Sequence, residues 1–229
     1  MTRPVIARRA LIRGVGAAAV AAAAASLAAC TPDPTPSTTP GSSVPPTDRD
    51  DRVLLAYFSR PGENYWNGGR RNLDTGNTEV LADLIRVRID CDVFRIEAAD
   101  PYSDSYDDTV ARNVREQGDD ARPAIAGDLP DLSGYGTVLL GSPIWNVQPP
   151  MIMATFAEAV DLSGTSLHPF VSYAVSGLGD TASFYRDLRT GARIGDGLAV
   201  RGEEVRDDAA GVDVDRWLSA AGLSRTGAP

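Results

Sequence analysis

The stretch that decides the fold is residues 53–84, V-L-L-A-Y-F-S-R-P-G-E-N-Y-W-N-G-G-R-R-N-L-D-T-G-N-T-E-V-L-A-D-L. Its first six residues are a continuous apolar run, the pattern of a central strand covered on both faces. Its end, from Asn77 onward, sets Val80, Leu81, Leu84 and Ile85 at helical spacing. The strand therefore feeds, through a polar excursion, into a helix whose mouth carries Thr75, Gly76, Asn77 and Thr78. A helix N-terminus presents unpaired N–H groups and a partial positive charge. Flanked by short hydroxyl and amide side chains, it is a ready anion site.

Working outward, apolar runs alternate with helical patterns along the chain. Strands are expected at 53–58, 92–97, 136–141, 168–176 and 193–200, and helices at 77–87, 105–117, 151–160, 181–188 and 212–218. Such alternation implies an α/β domain with a parallel sheet and helices on both faces, a doubly wound architecture. Ligands of such sheets bind beyond the carboxyl ends of the strands, where strand order reverses. The loops after the first, third and fourth strands should converge there, and they are the loops richest in Gly, Ser, Asn and aromatic residues.

Before the domain, residues 1–29 carry Arg8 and Arg9 ahead of an alanine-rich run that is too short to span a bilayer, which takes about 20 apolar residues. It fits the apolar region of a signal peptide. The paired arginines followed by Leu11 and Ile12 resemble a twin-arginine export signal, and Leu27-Ala28-Ala29-Cys30 resembles a bacterial lipobox. That resemblance implies cleavage before Cys30 and acylation of its thiol, which would hold the mature protein at the outer face of the cytoplasmic membrane. Residues 30–51 are rich in Pro, Thr and Ser and cannot bury enough apolar area to offset their ordering entropy, so they read as a tether. The domain is expected over 52–223, with a short tail at 224–229.

Composition narrows the function. The 229 residues contain 22 basic side chains, all arginine, and a net charge of −9; loss of Arg3, Arg8, Arg9 and Arg13 with the signal takes it to −13. An acidic chain argues against nucleic acid, whose binding is led by cationic contacts to phosphate, and suits a basic partner. The lone His168 excludes a zinc site that needs two histidines. There is no G-x-S-x-G elbow for a hydrolase. Cys91 has no C-x-x-C partner and reads as a buried apolar residue. Asp104, Asp107 and Asp108 read as a solvated helix face, and Trp217 as core.

Four motifs then stand in order: Tyr57-Phe58-Ser59-Arg60, Gly76-Asn77-Thr78, Gly141-Ser142-Pro143-Ile144-Trp145 and Ser176-Gly177-Leu178-Gly179. Together they resemble the flavodoxin family, over residues 53–223. The resemblance implies a flavodoxin-like five-stranded parallel sheet of order 2-1-3-4-5 and a noncovalent FMN site serving one- or two-electron transfer. It implies that Ser59, Arg60, Thr75, Gly76, Asn77 and Thr78 surround the FMN phosphate, with backbone N–H groups making an arginine unnecessary. It also implies that Pro143, Ile144, Trp145 and Asn146 line the flat ring and that Ser176, Gly177 and Gly179 face its pyrimidine edge. Asn77 or Thr75 serving only as a helix cap remains the plainer alternative, as does Trp145 serving only as core.

Two departures stand out. An insertion at 61–74 separates Ser59 from the helix mouth, and its Tyr65 and Trp66 are equally suited to covering a ring, meeting a partner or packing on their own neighbours. Val147 stands where glycine would let a peptide rotate beside the flavin, which puts stabilisation of a one-electron state in doubt. The expectation is an exported, lipid-anchored FMN protein that exchanges electrons with an unknown redox protein or small-molecule partner. An FMN-dependent NAD(P)H:quinone or small-molecule reductase is the first alternative, and a flavin-free binding module the second.

Overall fold

The computed structural model describes residues 52–224. The export signal, the lipobox with Cys30, the tether and the end of the tail lie outside the described residues.

The sheet is built on β1 (Arg52–Phe58), which pairs in parallel with β4 (Asp92–Ile96) on one side and β5 (Tyr135–Pro143) on the other. β6 (Ser166–Tyr173) follows β5, and two short strands, β7 (Arg193–Ile194) and β8 (Leu198–Arg201), pair with different parts of β6. The long strands thus run in the expected order, with all pairings parallel. The one correction is the last strand. Residues 193–200 are not one strand but two, broken around Gly195 and Gly197, where a Cβ would come within 2.4 Å of the His168 ring and 2.7 Å of Leu178. The chain skirts those side chains and cannot hold a straight edge.

β1 explains why the sheet needs two cores. Successive side chains of a strand point to opposite faces. Val53, Leu55 and Tyr57 enter one cluster with α1 (Asn77–Arg86) and α5 (Asp208–Ala220), through Leu81, Ile85, Val214, Trp217 and Leu218. Leu54, Ala56 and Phe58 enter the other with α3 (Met151–Ala159) and α4 (Thr181–Asp187), through Ile152, Met153, Phe156 and Tyr185. Gly141, in the middle of the sheet, admits the Phe170 ring where a Cβ would stand 2.1 Å from it. Cys91 precedes β4 and is half-buried rather than buried; burial and the neighbouring Asp90 and Asp92 push its thiol pKa up to about 11. α2 (Tyr106–Gly118) has a largely polar buried face, where Glu116 accepts from Tyr102 Oη at 2.8 Å and Arg112 Nε at 2.6 Å.

The inserted segment is not an irregular loop. It folds into an antiparallel hairpin, β2 (Gly62–Trp66) and β3 (Gly69–Leu73), which forms a sheet of its own. Alternation is poor in this segment and its turn, Asn67-Gly68, was the only hairpin signal; both residues take positive φ, as a tight two-residue turn requires.

Candidate functional site

The carboxyl ends of β5 and β6, the mouth of α1 and the segment after β8 border a cleft, with the hairpin beside it. At the mouth, Gly76 is the N-cap in extended conformation and contributes no side chain. The cap comes instead from the end of β1: Ser59 Oγ accepts the Glu79 N–H at 3.1 Å. A Cβ on Gly76 would lie 2.3 Å from that hydroxyl and 2.5 Å from the Arg60 carbonyl, so only glycine lets the two segments meet. The N–H groups of Asn77 and Thr78 have no acceptor within the helix, and no hydrogen bond of the described residues uses them. Thr78 Oγ1 lies 2.7 Å from Ser172 Oγ in a buried pair that ties α1 to β6. Asn77 Oδ1 accepts from Arg206 Nη1 at 2.7 Å, and the exposed Thr75 gives its carbonyl to Arg206 Nη2 at 2.9 Å.

The opposite wall is Pro143-Ile144-Trp145, carried out of β5. Trp145 and Gln148 bracket a two-residue turn, with Trp145 N–H donating to Gln148 O at 2.9 Å. Asn146 and Val147 both take left-handed backbone, at φ 51 and φ 67. For a β-branched residue that is a strained state, costing about 1–2 kcal/mol. The turn is held from outside. Gln117 of α2 donates to Trp145 O at 3.0 Å and accepts from Asn146 Nδ2 at 2.9 Å, while Asp180 N–H reaches Val147 O at 2.7 Å. The Trp145 ring stands edge-on to Phe58 and Tyr102, at centroid distances of 5.7 and 5.0 Å. It is therefore both a packing residue and a wall of the cleft.

The hairpin supplies the cover. Asn64 and Tyr65 line the cleft, with Tyr106 of α2 beside them, facing Ile144, Trp145 and Tyr173. Its base is fixed by Glu63 N–H donating to Asp104 O at 2.8 Å and by the Arg60 guanidinium, which donates to the Glu63 carbonyl and to Ser103 O at 2.8 Å. Arg70 makes a two-pronged contact with Asp107, at 2.9 and 2.6 Å, and lies over the Tyr106 ring at 4.4 Å. Trp66 turns outward beneath Arg71, 4.6 Å from its ring centre. The cleft is open to solvent on one side and has a volume of about 80 Å³.

Of the residues expected at the site, Asn77, Pro143, Ile144 and Trp145 line this cleft and Arg60 does not. Arg60 turns the other way, into a separate cavity of about 290 Å³ with Phe58, Pro101 and Tyr102; burial holds its guanidinium below the ordinary arginine range. Ser59 lies between the two, its backbone at the second cavity and its hydroxyl at the helix mouth. Asn146 sits exposed on the turn. Gly179 packs against that turn, and none of Ser176, Gly177 and Gly179 lines the cleft. Gly179 has φ 49, and a Cβ on it would stand 2.0 Å from Val147 O. Its N–H is already given to Ser176 O at 3.0 Å.

The sequence reading missed Tyr106, Ser172, Tyr173, Gly202, Glu203 and Arg206. Only Gly202 carried a signal, as a glycine at the end of a strand. The arginine at the helix mouth was not foreseen, because nothing in the spacing from Thr75 to Arg206 suggests that they meet.

Comparison with known proteins bears on this geometry. A family model described as Flavodoxin matches residues 72–218. Three solved structures superpose over most of the domain. A proposed flavoprotein from Bacteroides uniformis has 26% identity, covering 74% of this chain and 99% of that one, with a TM-score of 0.59. A proposed flavoprotein from Bacteroides eggerthii has 24% identity over 76% and 99%, with a TM-score of 0.58. A flavoprotein from Lactobacillus acidophilus in complex with FMN has 19% identity over 73% and 98%, with a TM-score of 0.52. The search of curated proteins found no match.

Proposed function

The chain belongs to the flavodoxin family, and on that premise we propose that it binds FMN without a covalent bond and relays electrons for a partner, anchored outside the cytoplasmic membrane through Cys30. One observation carries the flavin reading: a helix mouth with two uncommitted N–H groups opens onto an aromatic-walled cleft at the carboxyl edge of a parallel sheet. The residues present fit the group. Gly76, Asn77 and Thr78 offer backbone donors to a dianionic phosphate, with Thr75 exposed beside them and Ser59 fixing the first turn. Trp145 and Tyr65 offer flat apolar faces to the ring. Residues 176–180 act at one remove, by holding the 145–148 turn in its left-handed shape.

Bound FMN supplies reversible uptake of one or two electrons. What the chain contributes is placement and exclusion of water. The cleft of about 80 Å³ is far below the roughly 300–1,000 Å³ of small-molecule sites. An outward shift of the hairpin would widen the cleft for a ring, and Tyr65 is the hairpin side chain that would face it. The charge pairs between β3 and α2 are exposed and individually weak, so the outer part of the hairpin is the movable part, while its base stays tied by Arg60 and by Glu63 N–H to Asp104 O.

The anchoring half of the reading rests on sequence. A twin-arginine signal moves folded proteins, which would let the flavin load in the cytoplasm before export. The proline-rich tether then holds an acidic domain off the membrane, where it can meet a basic redox partner.

The test is a visible spectrum of the purified full chain, followed by titration with FMN. A yellow protein, or one that quenches added FMN fluorescence, is expected; a colourless protein that ignores FMN refutes the reading. Slow bleaching by NADPH is expected of a carrier, and rapid bleaching would make the protein a reductase instead. Replacement Cys30→Ser should move the protein from the membrane fraction to the soluble one.

A further inference from the structure

The segment that follows β8 touches the cleft at two points that no sequence motif covers. Gly202 packs against the helix mouth so closely that a Cβ would lie 2.5 Å from Asn77 Nδ2. Four residues on, Arg206 spends two of its N–H groups on Asn77 Oδ1 and the Thr75 carbonyl, leaving others unspent. Among the described residues Arg206 makes no ion pair, and neither does Arg71, the neighbouring guanidinium. Burial and the charge of Arg71 together depress the Arg206 pKa. Two like charges beside the positive end of a helix oppose one another unless an anion joins them.

Glu203 shows the complementary feature. It lines the cleft beside Asn77 and Tyr173, and its Oε1 accepts the Asn67 N–H from the hairpin tip at 3.3 Å. Its Oε2 is enclosed and has no hydrogen-bond partner. An enclosed carboxylate oxygen without a donor is costly. Hydroxyl groups are donors that fit such an oxygen, and a flavin nucleotide carries a hydroxylated chain between its phosphate and its ring.

We propose that segment 202–206 is a further flavin-binding element, in which Arg206 contacts the terminal phosphate and Glu203 accepts from the hydroxylated chain. This rests on the FMN reading and deepens it: the site would select phosphorylated flavin by a side-chain charge as well as by backbone donors. Arg71 contributes at longer range.

The experiment compares FMN, riboflavin (no phosphate) and lumiflavin (neither phosphate nor hydroxylated chain) by fluorescence quenching on the purified full chain. Arg206→Ala should weaken FMN by at least about tenfold, as expected for a charge-assisted contact, with riboflavin changed less than about twofold. Arg206→Lys should recover part of the loss. Glu203→Ala should weaken FMN and riboflavin alike by several-fold while sparing lumiflavin, and Glu203→Gln, which keeps an acceptor oxygen, should act less. Equal losses for FMN and riboflavin in Arg206→Ala, or losses that extend to lumiflavin in Glu203→Ala, would reduce both residues to structural roles. An Arg206→Ala protein that keeps its preference for FMN would overturn the phosphate contact while leaving FMN binding intact. A wild-type chain that binds none of the three would overturn the flavin reading itself.

Discussion

The two sides of the cleft are built on different principles. The α1 mouth is set by the core: Asn77 and Thr78 are buried, Leu81 and Ile85 anchor the helix against β1, and Gly76 admits no other side chain. The hairpin opposite is an insertion tied at its base by Arg60 and by Glu63 N–H to Asp104 O, and held farther out by charges and ring faces, with Glu63, Arg70 and Asp107 all open to solvent along at least two-fifths of their side chains. One side is preorganised and rigid; the other is attached by contacts that water competes for. The fixed side suits the phosphate, whose recognition rewards preset donors, and the loose side suits a ring that must enter and be covered.

The contrast breaks first at Gly76. Replacement by alanine forces a Cβ into Ser59 Oγ and the Arg60 carbonyl, and the carbonyl is backbone that follows directly on β1. Overpacking of this kind costs about 1–3 kcal/mol of stability. FMN affinity should fall further than riboflavin affinity if the displaced first turn carries the donors proposed for the phosphate. A drop of roughly 100-fold in FMN binding, with a lowered unfolding midpoint, is the expected outcome. An unchanged midpoint would show that the mouth is looser than its packing implies.

A smaller effect with the opposite sign is expected at the third wall. Val147 holds φ 67 only because the Asp180 N–H and the Gln117 clamp fix the turn around it. Val147→Gly removes the steric cost of that conformation but adds backbone entropy to the unfolded chain, of about 0.5–1 kcal/mol. The net gain should be about 0.5–1 kcal/mol, read as a higher thermal midpoint at equal flavin occupancy. A loss of stability would mean that the Val147 side chain, which is 46% exposed, packs on something that offsets its strain.

What was legible in the sequence follows the same division. The strands and helices came through because β1, β5 and β6 are buried on both faces and read as unbroken apolar runs, and because α1 keeps a strong apolar stripe. The helix mouth came through because its chemistry lies within four consecutive residues. The Arg60 side chain lies away from the helix mouth because adjacency along the chain says nothing about direction: just after a strand, Ser59 and Arg60 point different ways. Glu203 and Arg206 were invisible for the reverse reason, since they reach the mouth across more than 120 residues. The hairpin was hidden because its strands, Gly62–Trp66 and Gly69–Leu73, bury little and so carry no clean alternation.

The smallest effect probes the loose side directly. In the folded chain, the paired N–H groups of Arg70 hold the Asp107 carboxyl below its ordinary pKa, and the same contact raises that of Arg70. A depressed carboxylate contributes its stabilisation above the unfolded pKa of about 3.9 and loses it as pH falls through the lower folded value. The latch between hairpin and α2 should therefore be constant from pH 5 to 8 and release only in acid. Arg70→Ala should speed amide exchange in Gly62–Leu73 by a few-fold after correction for intrinsic rates, with no resolvable change in the global unfolding midpoint. The gap between variant and wild type should close as the pH drops below 4. If the variant instead lowered the global midpoint, the hairpin would be part of the core's cooperative unit, and a cleft that opens by moving it alone could not be sustained.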